Sequence, residues 1–161
     1  MDIVQPAGTH LAQLNVARAL DDLDSPRLAD FMAALDGVNA LAERSPGFVW
    51  RLKSDAGNAT DIKVTEDARL IVNMSVWETA SQLEQFVWNT VHARVYGKKA
   101  KWFEPMKSPH MVMWWVPAGH VPTIEEALAR LEHLTTHGPS ARAFGWESLL
   151  NVKLWMSKRC A

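Results

Sequence analysis

Residues 70–77 read Leu-Ile-Val-Asn-Met-Ser-Val-Trp, and a helix start follows them at once. The run is too apolar and too short for anything but a buried strand. At period two its sides differ. Leu70, Val72, Met74 and Val76 form an apolar row, while Ile71, Asn73, Ser75 and Trp77 form a mixed one with two hydrogen-bonding groups and an indole. This pattern predicts helices over the apolar row and a cavity on the mixed row. Thr79-x-x-Gln82 is a capping box, so the helix begins almost where the strand ends.

The flanking sequence supplies the partners. Residues 10–19 read as a first strand, with Leu14 and Val16 on one side and Gln13 and Asn15 on the other. Ser25-Pro26 is a helix start, with Ser25 as cap, and Leu28, Phe31, Met32, Leu35, Val38 and Ala42 recur at helical spacing. Ser45-Pro46-Gly47 stops that helix. Residues 48–52 predict a second strand with Phe48, Trp50 and Leu52 on one side, and the polar residues 54–69 a hairpin loop. One helix is expected over residues 79–103, broken or bent at Gly97, then a strand over 110–116 stopped by Pro117. Thr123-x-x-Glu126 caps a further helix that Gly138-Pro139 ends. Residues 143–150 read as a last strand and 151–161 as a tail.

The order is β-α-β-β-α-β, an α+β ferredoxin-like unit with an extra C-terminal helix and strand. Such a sheet carries helices on one face, so a second copy of the chain is the expected cover for the other. The expectation is a homodimer forming a dimeric α/β barrel. With 161 residues the chain is long enough for one domain, with its core over about residues 10–150.

Composition narrows the partners. A net charge of -1 with no long basic run argues against nucleic acid. No stretch reaches the roughly 20 apolar residues of a membrane helix, and the first residues lack a signal-peptide pattern. Cys160 is the single cysteine, which excludes an internal disulfide and fits a reducing, cytoplasmic setting. Eight tryptophans beside one tyrosine suggest an aromatic cavity or an interface.

Several runs resemble a family of uncharacterised bacterial proteins: Asn73-Met-Ser-Val-Trp77-Glu78, Phe86-Val87, His92, Trp102-Phe103 and Trp114-Trp115-Val-Pro117-x-Gly119. Pro122-Thr123-x-Glu125-Glu126-Ala127, Gly138-Pro139-Ser140 and Ala143-Phe144 complete the resemblance, which spans about residues 10–147. That family is similar to the antibiotic-biosynthesis-monooxygenase superfamily of dimeric α/β barrels. Cofactor-independent, quinone-forming members use an asparagine and a tryptophan four residues apart on this strand, and a later arginine. The resemblance therefore implies Asn73 and Trp77 as catalytic residues, with Arg94 the nearest arginine. Haem-degrading members use an asparagine on the first strand, then a tryptophan and a histidine on the helix after the central strand. Asn15, Trp88 and His92 are similar in kind, at the shorter spacing of one helical turn.

The residues add their own reasons. Asn73 and Trp77 project from one face, roughly 13 Å apart at about 3.3 Å per residue, and could bracket a planar aromatic ligand. A buried backbone partner for Asn73 and a barrel-end plug for Trp77 are the structural alternatives. His92 shares a helix face with Trp88 and could act as a general base or bind a ligand oxygen. Arg94 could steady an anion or join a surface ion pair. Asn15, Trp50, Trp88, Trp102 and Trp114 are the expected substrate-lining residues, with one of Trp114 and Trp115 packed under helices and the other facing the cavity. His133 and His137 have metal-ligand spacing but lack a third ligand nearby, so neither a metal nor another cofactor is expected.

Two classes of function stay open. The first is a small oxidoreductase, a cofactor-independent monooxygenase acting on an aromatic or polyketide-like molecule. The second is a non-catalytic dimer binding a small aromatic ligand in the same cavity, with haem binding or degradation behind both.

Overall fold

Strand β1 (Thr9–Arg18) lies at the middle of a four-stranded antiparallel sheet with β2 (Phe48–Arg51), β3 (Leu70–Trp77) and β4 (Met111–Pro117), ordered β2-β3-β1-β4. The computed structural model describes residues 2–54, 57–60, 62–63, 65–106, 108–150 and 152. Helix α1 (Ala29–Arg44) joins β1 to β2, α2 (Ala80–Asn89) and α3 (Val91–Gly97) join β3 to β4, and α4 (Ile124–His137) follows the sheet. This is the ferredoxin-like α+β arrangement expected above. The register sets Leu11 opposite Trp77, Gln13 opposite Ser75 and Asn15 opposite Asn73. On β4, Trp115 and Met113 face Leu11 and Gln13.

Local chemistry explains the element ends. Thr79 Oγ1 accepts from the Gln82 amide, and Thr123 Oγ1 from the Glu126 amide, so both capping boxes start helices. Gly138, at φ 76°, ends α4 in a conformation other residues avoid. Ser25 does not cap: the chain enters α1 through a 3-10 turn, Pro26–Leu28, and its hydroxyl makes no cap bond.

Four expectations need correction. The helix over residues 79–103 is broken at Thr90 as well as at Gly97, where α3 ends. Thr90 takes an extended backbone, donates Oγ1–H to the Phe86 carbonyl and accepts from the His92 amide, ending α2 and capping α3. A bulge between Phe48 and Trp50 turns Phe48 to one side of the sheet and Trp50 and Leu52 to the other. Residues 143–150 form no strand; Phe144 makes a two-residue bridge to Met113, and a 3-10 turn follows over Trp146–Ser148. The expected tail lies outside the described residues apart from Val152, which is buried in the core.

The fourth correction concerns the faces. The apolar row of β3 does lie under a helix, but that helix is α4. Val72, Met74 and Val76 pack with Ala12, Leu14, Val112 and Trp114 beneath Ala127 and Leu134. The mixed row faces α1 and α2, where Leu11, Trp77 and Met113 pack with Ala42, Leu83 and Phe86. Helices thus cover both faces of the sheet. Helix α4 packs on the face for which a second copy was expected.

Candidate functional site: a polar row between two apolar clusters

On the face beneath α1, apolar side chains gather at two ends. At one end are Leu11, Trp77, Phe86 and Ala42. At the other, Ala19, Leu28 and Trp102 pack with Phe31, Val95 and Phe103. Between them on β1 and β3 lie Gln13, Asn15, Asn73 and Ser75. Helix α1 reaches both clusters, through Phe31 near its start and Val38 and Leu41 towards its end.

The polar row is hydrogen-bonded in one continuous line. Trp77 Nε1 donates to Ser75 Oγ at 2.9 Å. Gln13 Nε2 donates to Ser75 Oγ and to Asn73 Oδ1, both at 2.8 Å. Gln13 and Ser75 are buried, yet Asn73 is exposed although β3 is an interior strand. The helices therefore leave this end of the row open. Asn15, directly opposite Asn73, is half-buried beside it.

An aromatic series leads away from the row. Trp77 meets Phe48 edge-on at 5.6 Å and stacks on Phe86 at 5.2 Å. Phe86 meets His92 at 5.1 Å, and His92 stacks on Tyr96 at 6.3 Å. Tyr96 then meets Trp88, which meets Trp146. The break at Thr90 brings His92 here. Its Nδ1 lies 3.2 Å from the Val87 carbonyl, which can only accept, so Nδ1 carries the proton and Nε2 keeps its lone pair. Burial lowers its pKa, against a smaller opposing effect of the Val87 bond.

The predicted residues thus divide. Asn15, Asn73 and Trp77 share one face of the sheet; His92 is joined to Trp77 through Phe86, with Trp88 farther along the aromatic series. Arg94 is exposed on α3 and makes no ion pair with a described residue. Trp50 and Trp114 face α4, where Trp114 Nε1 donates to Glu126. Trp102 belongs to the far cluster. Trp115 takes the α1 and α2 side, half-buried against Phe144. His133 and His137 stack at 4.5 Å, and no cluster of three metal-ligating residues occurs among the described residues.

Gln13 and Ser75 are the members that residue-by-residue reasoning passed over. Their signal was polar side chains at alternate positions in two interior strands. The arginine nearest in register is Arg51, opposite Ser75, but its guanidinium is held by Glu43 and the Gly57 carbonyl.

Residues 10–160 match the model of a domain of unknown function, DUF3291. The chain belongs to the DUF3291 family. No curated protein matches it. Among solved structures, a protein of unknown function from Nitrosomonas europaea is similar at 17% identity and a TM-score of 0.46, over 73% of this chain and 99% of that one. A second protein from that organism, described as a "putative antibiotic biosynthesis monooxygenase", is similar at 15% identity and a TM-score of 0.45, over 73% and 97%. The ferredoxin-like reading of this DUF3291 chain rests on its own strand order. No helix among its described residues is long and apolar enough to cross a membrane.

Proposed function

We propose that the polar row binds a flat aromatic molecule with an acidic hydroxyl, and that the protein is a small oxidoreductase, a cofactor-independent monooxygenase. The exposed amide of Asn73 carries this reading. Its Oδ1 is taken by Gln13, so its N–H groups are left for a ligand oxygen. Donors at that point favour the anion of a phenol or enol over its neutral form. His92, its pKa lowered by burial and with a lone pair on Nε2, is the candidate base for the proton.

For an anthrone the balance is simple. The ring carbon loses a proton, and its anion gives electrons to dioxygen. A carbon–oxygen bond forms and water leaves with the second oxygen atom, giving the quinone. One dioxygen is consumed per quinone formed.

Oxygen uptake with a panel of anthrones and hydroquinones tests the reading. Uptake equal to quinone formed, and lost in Asn73→Asp, is the expected result. Binding without uptake would instead leave a small-molecule binding protein. One observation favours that second reading: Trp77 is only 1% exposed, wedged between Phe48 and Phe86, and offers no free ring face.

A further inference from the structure

The hydrogen bonds of the polar row run from Trp77 through Ser75 and Gln13 to Asn73. An indole N–H only donates, so one lone pair of Ser75 Oγ is committed to it. Gln13 spends both hydrogens of its amide, one on Ser75 and one on Asn73 Oδ1. Gln13 is 7% exposed and has little water to turn to. Its orientation therefore dictates that of Asn73, whose Oδ1 faces inward and whose Nδ2 faces the open end.

We propose that Gln13 is a positioning residue that selects the ligand's chemistry, by holding Asn73 so that the row accepts molecules presenting an oxygen acceptor. This rests on reading the row as a binding site, but not on any reaction there. Were the Gln13 amide reversed, its Oε1 would accept from the Ser75 hydroxyl and Asn73 Nδ2. Asn73 would then show its own oxygen outward, and the row would select ligands that donate.

Gln13→Glu imposes that reversal, because a carboxylate has only acceptors to offer. Gln13→Leu removes the hold without reversing it. Two neutral naphthalenes of similar size separate the cases: acetonaphthone, which only accepts, and naphthylamine, which donates. Binding is read by quenching of tryptophan fluorescence.

The wild type should bind the ketone roughly tenfold tighter than the amine, about the worth of one hydrogen bond. Gln13→Glu should invert that ratio, and Gln13→Leu should bring it near one. Folded variants with an unchanged ratio would reduce Gln13 to a structural role and overturn the proposal. Failure of both probes to bind the wild type would overturn it too, along with the site. Loss of oxygen uptake with the ketone preference intact would count against the proposed reaction only.

Should both variants unfold, proton exchange of the wild-type side-chain amides decides. Gln13 Nε2 protons should exchange slowly and Asn73 Nδ2 protons quickly. Slow Asn73 and fast Gln13 protons would overturn the assignment.

Discussion

Trp77 hydrogen-bonds Ser75, two residues away on the same face of β3, so the largest buried side chain of the strand is tied to the polar row. Truncation at position 77 removes a packed ring and also frees the Ser75 hydroxyl. Trp77→Ala should cost about 3–5 kcal/mol, and Met74→Ala, on the opposite face under α4, about 2–5 kcal/mol. Asn73→Ala should cost about 1 kcal/mol or less, since Gln13 keeps its bond to Ser75. Urea unfolding of the three variants checks the order, and an Asn73→Ala protein less stable than Trp77→Ala would contradict it.

Gly47 has φ 83°, and a Cβ there would lie 2.1 Å from Gln82 Oε1 and 2.7 Å from Gln82 Cβ. Gly47→Ala should therefore lose at least about 1–2 kcal/mol from the backbone alone. Part of the further loss should be recovered in Gly47→Ala/Gln82→Ala. A double-mutant cycle measures this coupling, and strict additivity would show that the close approach does not matter.

Thr90 holds the break between α2 and α3, donating to the Phe86 carbonyl and accepting from the His92 amide. Thr90→Ala should cost about 1 kcal/mol. It should also speed hydrogen exchange at the His92 amide more than at residues of α4. Equal protection at His92 in both proteins would mean that the hydroxyl does not hold the junction.

His92 and Glu126 are among the groups that tie stability to pH, with the same sign. Burial lowers the His92 pKa, so the unfolded chain protonates first as pH falls through the ordinary imidazole range. Desolvation pushes Glu126 up, but hydrogen bonds from His120 and Trp114, with the charge of His120, bring it below its ordinary value. Its contribution is complete above the usual carboxylate range and is lost as pH falls through its folded value. Melting temperature should thus drop in two acid-side steps. His92→Gln should shrink the one nearer neutrality and Glu126→Gln the lower one.

The fold was legible because each element carries a local signal. The strand over residues 70–77 and both capping boxes lie where pattern and turn chemistry put them. The break at Thr90 was hidden, because a threonine within a helical pattern reveals nothing until its hydroxyl finds the Phe86 carbonyl. The helical cover over much of the mixed row of β3 was missed for a similar reason. Alternation separates two rows but does not say which helix covers each, and α4 provides a second helical layer. Of the candidate site, Asn15 and Asn73 share a strand-pair position, whereas separating Trp50 and Trp114 from them required knowledge of the bulge and of α4.

The pairing of Met113 with Phe144 has a consequence for association. Both backbone bonds run between them, so the outward-facing polar groups at the centre of β4 are already occupied. The opposite margin, β2, is four residues long and kinked by its bulge. Short, bent or covered margins are poor templates for a foreign strand. The segment bearing Phe144 therefore acts as a stopper on the sheet, and shortening the chain ahead of it would bare the groups through which aggregation could begin.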